Sequence, residues 1–233
     1  MLNHIKKYVI ATRPWSFTMS FISVSTGTLL AAEEGPVSWF WFAITAVGII
    51  LFHAAANLIN DYFDTLYEID QRDSPTAKYR LQPILSGMLT PRQLLAETFV
   101  LLSITIAIGM TVAMIRSWHV LWIGIIGLLT SIFYTAGPVK FKYRAFGEFA
   151  VFMMWGPLMI EGAYAVQCQA LSIKAFYISV PFGVNKPVCS ECKIHCFKPE
   201  MRSQIKEVMR FAGPRMNFKH PVLAIHHLIR KCR

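Results

Sequence analysis

Apolar residues fall in long unbroken runs, roughly Pro14 to Ala32, Val37 to Ile59, Leu94 to Ile115, Trp118 to Thr135 and Ala145 to Val166. Each is close to the ~20 residues that an α-helix needs to cross the hydrocarbon of a bilayer. A sixth run, Ala175 to Val184, stops after ten residues at Asn185, Lys186 and Pro187, about half a span. The pattern predicts an all-α fold, a polytopic transmembrane helix bundle with about five full spans and a truncated sixth. The first run follows Lys6, Lys7 and Arg13 and has no small-residue cleavage site behind a short apolar core. It is expected to remain as a membrane helix rather than to be removed as a signal peptide.

The second run changes character at its end. If the helix continues to Glu68, then at 100° per residue His53, Asn57, Asn60, Asp61, Asp64 and Glu68 share one arc of about 100°. A polar stripe on a membrane helix is costly in hydrocarbon, so it predicts a water-accessible cavity inside the bundle and a cation to neutralise it. With Asp70 and Asp73 the run gathers five acids in thirteen residues. That density suits Mg²⁺, a hard cation that commonly bridges carboxylates to substrate phosphates. His53 reads first as a bundle hydrogen-bonding residue, since a lone histidine on a helix face does not by itself mark a site.

Composition sharpens the membrane reading. The chain is 55% hydrophobic and 15% charged, with a mean hydropathy of +0.44, too apolar for an ordinary soluble domain. The formal charge of +10 is unevenly placed: residues 1–184 hold 12 Lys/Arg against 10 Asp/Glu, and residues 185–233 hold 11 against 3. Two domains are therefore expected, a transmembrane one over 1–184 and a basic, Cys/His-rich, partly helical segment over 185–233. By the bias of basic residues toward the cytoplasm, Lys6, Lys7 and Arg13 place the N-terminus inside. So do Arg72, Lys78, Arg80 and Arg92 for the loop after the second span, and Lys140, Lys142 and Arg144 for the loop after the fourth. Arg116 marks the opposite face. One loop rich in both acids and bases and one purely basic loop on the same side suit a metal-diphosphate headgroup. A cation transporter fits less well, because its ionisable groups are expected near the midplane of several spans.

Several stretches together carry a family resemblance: Asn60, Asp61 and Asp64 with Asp70 beyond, Pro75 and Thr76, Pro83 to Gly87, Tyr134 to Pro138, Gly147 and Glu148, and Trp155 to Pro157. Residues 1 to about 184 resemble the UbiA superfamily of intramembrane prenyltransferases, and the nearest branch looks like 1,4-dihydroxy-2-naphthoate polyprenyltransferase of menaquinone synthesis. The superfamily motif NDxxDxxxD ends here in Glu68, and Asp70 matches the later acid of the naphthoate branch. The resemblance implies nine helices around a cavity in which two aspartate-rich motifs hold Mg²⁺ on the diphosphate of a polyprenyl donor. It implies Mg²⁺-dependent transfer of the polyprenyl group to an aromatic acceptor, with Asp61 and Asp64 catalytic. Asn60, Asp61, Asp64 and Asp70 are expected at the metal, and Lys78, Arg80, Lys140 and Lys142 at diphosphate oxygens. Arg13 fits the headgroup or a topological anchor equally well. The implied location is the bacterial cytoplasmic membrane.

The superfamily's second motif lies beyond the sixth span. Here the residues after Val184 instead resemble the C-terminal end of a bacterial family named for nitrous-oxide-stimulated promoters, so a join near Gly183 and Val184 and impaired transfer are expected. Cys189, Cys192, His195 and Cys196 have the spacing of a zinc half-site. Pro199 to Phe211 reads as a basic amphipathic helix that suits an anionic membrane surface or nucleic acid, and composition does not choose. The alternative function is thus a membrane-anchored zinc-binding or regulatory module without catalysis. Acceptor, prenyl length and oligomeric state are left open by the sequence.

Overall fold

In the computed structural model the described residues are 2–68, 82–137, 140–143 and 146–178. The chain divides into two units, Met1–Val180 and Pro181–Arg233, and the second lies outside the described residues. So do Asp70, Lys78, Arg80, Cys189, Cys192, His195 and Cys196, whose expected roles meet no structural observation.

The described residues form eight helices and no strand: α1 (Leu2–Ala11), α2 (Phe17–Ala32), α3 (Trp39–Leu66), α4 (Pro91–Ile115), α5 (Trp118–Thr135), α6 (Gly147–Met153), α7 (Met159–Cys168) and α8 (Ile173–Ile178). Four stretches are long and apolar enough to cross a membrane by length and composition: α3, α4, α5 and the continuous Gly147–Cys168. Phe99, Ile104 and Met114 on α4, and Trp118, Trp122 and Leu129 on α5, are exposed. Such large apolar side chains at the surface of two spans belong against lipid. The protein is a multi-pass helical membrane bundle, as its apolar runs predict. Burial ranks the spans. Within one apolar 18-residue stretch of each, half of the last span and 44% of α3 are buried, against 17% for α4 and 11% for α5, so α3 and α6–α7 are the more central of these spans.

Local chemistry sets the boundaries. Ser38, Thr90 and Ser117 cap α3, α4 and α5, each accepting a backbone N–H with its hydroxyl. At α4 the cap is reciprocal, because Gln93 returns its side-chain oxygen to Thr90 N. The first apolar run does not form one helix: Pro14–Ser16 make a 3-10 turn and only the sixteen residues of α2 are α-helical. The helix α3 stops at Leu66, and Glu68 is exposed with φ 56°. Glu68 therefore leaves the polar stripe that a longer helix would have given it. In the last span Gly156 has non-helical angles and Pro157 follows, which opens a π turn over Met154–Leu158 between α6 and α7. The Trp155 carbonyl at this kink accepts a hydrogen bond from Ser23 Oγ at 2.6 Å, the kind of re-satisfaction that lets proline sit in a membrane helix.

Helix packing relies on small residues. A Cβ at Gly27 would lie 2.2 Å from the Ile160 carbonyl and 2.8 Å from Ala163 Cβ, so α2 and α7 approach as closely as backbones allow. At the far end Arg116 donates to the carbonyls of Val166 and Gln167, at 2.8 and 2.7 Å, and lies over the Trp41 ring. That answers the unpaired carbonyls at the C-terminus of α7 with a cation. Ser38 and Gln167 exchange hydrogen bonds across the same end.

Candidate active site

The C-terminal half of α3 carries the site. Asp61 and Asp64 are three residues apart, 2% and 0% exposed, and a different segment supplies each with a cation. Arg13, from the turn between α1 and α2, donates Nη2–H to Asp61 Oδ1. Lys142, from the loop between α5 and α6, donates to Asp64 Oδ2 at 2.6 Å and to Asn60 Oδ1 at 3.2 Å. Thr135 Oγ1, at the end of α5, also donates to Asn60 Oδ1 at 3.1 Å. Buried carboxylates in a membrane span require such charge-assisted partners, because an uncompensated charge there is costly.

A cavity of about 200 Å³ opens beside these groups. His53, Asn57, Asn60 and Arg13 give it a polar wall, and Phe52, Tyr134, Met154 and Trp155 an apolar and aromatic one. A second cavity of about 380 Å³ lies further from the carboxylates, among α3, α4, α5 and α7. Phe52, Met154 and Met159 line both. Thr45 and Thr105 are the polar side chains of the second lining, which otherwise consists of aliphatic residues, methionines, one phenylalanine and five glycines.

Of the residues predicted from sequence, the structure brings Asn60, Asp61, Asp64 and Lys142 together. Lys140 goes elsewhere: its backbone has φ 45° and its Nζ lies 3.5 Å from the centroid of the Tyr67 ring. Thr135 and Trp155 join the site without having been singled out for it, as does His53, read above as a bundle residue; Arg13, which by sequence suits the headgroup or an anchor equally, stands against Asp61. His53 did carry a signal, its place on the same arc as the carboxylates. Among the described residues no three His, Cys, Asp or Glu side chains are arranged as a ready metal cage. The oxygen-rich face is instead two carboxylates and one amide.

A family profile described as the UbiA prenyltransferase family matches residues 20–187, and one described as nitrous oxide-stimulated promoter matches residues 161–233. UbiA prenyltransferase domain-containing protein 1 of Danio rerio is 32% identical over 182 residues, that of Xenopus tropicalis 30% and that of Homo sapiens 29%. Each match covers 76% of this chain. It covers 52%, 51% and 52% of those relatives respectively, so the chain spans about half their length. A solved structure, from work on digeranylgeranylglyceryl phosphate synthase in membranes, superimposes with a TM-score of 0.57 at 20% identity. It covers 70% of this chain and 53% of that one, and it speaks for the fold alone. With 168 of 233 residues inside the first profile, and Asn60 and the buried Asp61 and Asp64 within that match, the chain belongs to the UbiA prenyltransferase family.

Proposed function

We propose that the chain transfers a polyprenyl group from a polyprenyl diphosphate to an aromatic acceptor, 1,4-dihydroxy-2-naphthoate in menaquinone synthesis. We place it in the bacterial cytoplasmic membrane, with the carboxylate end of α3 on the cytoplasmic side. The observation that carries this reading is the pair of fully buried carboxylates, each held by a cation from another segment, beside a cavity with polar and aromatic walls. In the reaction the bond from the donor's first carbon to the diphosphate oxygen breaks. The allylic cation is attacked by a ring carbon, and the ring then regains aromaticity by losing a proton or, for dihydroxynaphthoate, its carboxylate as carbon dioxide.

The donor set fits Mg²⁺. It consists of hard oxygen atoms, and Mg²⁺ is ordinarily held by one or two carboxylates together with substrate phosphates rather than by an all-protein cage. Asp61 and Asp64, with Asn60, would hold the metal, and the metal supplies charge neutralisation to the leaving diphosphate. Arg13 and Lys142 stand against the carboxylates, and in this reading they would also donate to the oxygens of a diphosphate bound there. The smaller cavity takes the acceptor ring between Trp155, Tyr134 and Phe52, whose apolar surface keeps water from the cation. The larger cavity takes the isoprenoid chain, since its lining is almost wholly apolar and shares a wall with the smaller one.

The sequence has no aspartate after Asp73. These residues thus supply one acidic cluster, and the chain alone neutralises the diphosphate from one side. Weak turnover follows. The test is reconstituted protein with farnesyl diphosphate, dihydroxynaphthoate or 4-hydroxybenzoate and excess Mg²⁺, with the prenylated product followed by mass spectrometry. Slow naphthoate prenylation that requires Mg²⁺ supports the reading. No product above a protein-free control, with either acceptor, removes it.

A further inference from the structure

One buried group of the smaller cavity has no part in that chemistry. His53 is 5% exposed and caged by the rings of Phe17 and Trp155, with centroids at 5.5 and 5.0 Å. Both of its nitrogens are engaged, Nδ1 with Ser20 Oγ at 2.8 Å and Nε2 with Ser16 Oγ at 3.3 Å. Its hydrogen bonds therefore run to α2 and to the turn before it.

That turn is unusual. Arg13 has φ 60° and ψ 62°, a left-handed conformation that a non-glycine residue keeps only where its surroundings hold it. Ser16 supplies the hold: its N–H and its Oγ–H both donate to the Arg13 carbonyl, at 2.9 and 2.8 Å. Asn57 Nδ2 fastens the turn to α3, donating to the Thr12 carbonyl at 2.9 Å and to Ser16 Oγ at 3.2 Å. A serine hydroxyl has one proton, and here it goes to Arg13. Ser16 Oγ is left to accept from Asn57 and from His53, which puts the imidazole proton on Nε2. Nδ1 then accepts from Ser20. Assigned this way, a neutral imidazole leaves no donor of the network unused.

We propose that His53 is a positioning residue for Arg13: acting through Ser16, it locks the left-handed turn that lays the Arg13 guanidinium on Asp61. It thereby fixes the cationic side of the headgroup site. That the headgroup is a diphosphate rests on the function proposed above; the lock on Arg13 does not.

Two measurements on the full chain in nanodiscs separate the claims. The first is a double-mutant cycle read by binding of radiolabelled farnesyl diphosphate, with uncharged farnesol as the control probe. His53→Ala weakens diphosphate binding about tenfold, the usual scale for losing a residue that orients a ligand-binding group, and leaves farnesol binding unchanged. On an Arg13→Ala background the same change adds less than about twofold, because its effect passes through Arg13. His53→Gln, whose amide still donates to Ser16, restores most of the affinity. The second is the rate at which phenylglyoxal modifies Arg13, read by mass spectrometry. It rises about tenfold in His53→Ala and falls back in His53→Gln, as expected when an oriented guanidinium is released. Absence of diphosphate binding by the unaltered protein would count against the proposed substrate only. An unchanged Arg13 reactivity, or an equal His53→Ala loss with and without Arg13, overturns the positioning role.

Discussion

Toward its C-terminus α3 presents His53, Asn57, Asn60, Asp61 and Asp64, and each of these side chains meets a hydrogen-bonding partner from another segment. Toward its N-terminus the same helix lines the 380 Å³ cavity, where the polar groups are Thr45 and Thr105. Their hydroxyls are buried and have no hydrogen-bond partner among the described residues. Elsewhere Thr26, Thr65, Thr98 and Thr111 return their hydroxyls to the carbonyl four residues earlier, the usual solution in a helix. Glycines differ between regions as well. A Cβ at Gly27 would strike the Ile160 backbone, whereas one at Gly109 or Gly124 would meet nothing within 4 Å. Close helix approach explains the first, and open space is what the other two provide. The charged end of α3 is thus tightly partnered, whereas its other end faces space that glycines of α4 and α5 leave open, the division that the proposed amphiphilic donor would need.

The largest expected effect lies at the charged end. Asp64→Asn should lower prenyl transfer about a hundredfold or more while the protein remains folded in membranes, because the carboxylate serves charge stabilisation rather than packing. Activity within about tenfold of the parent, measured beside circular dichroism, would show that the carboxylate is not needed to stabilise charge there. Reversing the charge of Lys142 should weaken donor binding about tenfold and leave acceptor binding within twofold, the asymmetry expected of a phosphate-directed cation. Equal losses for both ligands would reduce Lys142 to a topological role.

At the roomy end the two kinds of glycine can be set against each other. Gly27→Ala should destabilise the bundle by about 1–3 kcal/mol through overpacking, seen as a lower thermal midpoint. Gly124→Leu should leave that midpoint unchanged and disfavour long-chain donors over geranyl diphosphate about tenfold, as a filled pocket does. Smallest is the exposed pair beyond both regions. The Glu34 carboxylate accepts from Lys174 Nζ at 3.1 Å and raises the Lys174 pKa above its ordinary 10.5. A raised lysine pKa adds stability below its unfolded value and loses it as the pH climbs through the folded one. Lys174→Gln should therefore leave thermal melts at neutral pH unchanged, since screened surface pairs contribute little.

Much of the membrane architecture was legible because hydrocarbon demands long apolar runs, and α3, α4, α5 and the last span lie where those runs lie. The polar stripe was legible for the same reason, since a helix period of 3.6 places residues 53 to 64 on one face whatever packs against them. Its end was not. Glu68 falls off the stripe because α3 stops at Leu66, and nothing in the local sequence marks that stop. Lys140 and Lys142 alternate in a basic loop, yet Lys140, with a left-handed backbone, lies over Tyr67 while Lys142 reaches Asp64. Arg13 was ambiguous for a physical reason, because a cation at a helix mouth serves topology and headgroup binding with the same charge. The division of the first span at Pro14 depends on Ser16, Asn57 and His53, residues far apart in the chain.

The proposed function requires the acidic end of α3 to hold a diphosphate through a divalent cation. Equilibrium binding of radiolabelled farnesyl diphosphate, titrated with Mg²⁺, tests it in the unaltered chain beside an Asp61→Asn, Asp64→Asn double variant whose fold is checked by circular dichroism. Binding is expected to be saturable, to require Mg²⁺ and to be lost in the double variant, with farnesol retained by both. Diphosphate binding of equal strength in both proteins, or independent of Mg²⁺, would contradict it.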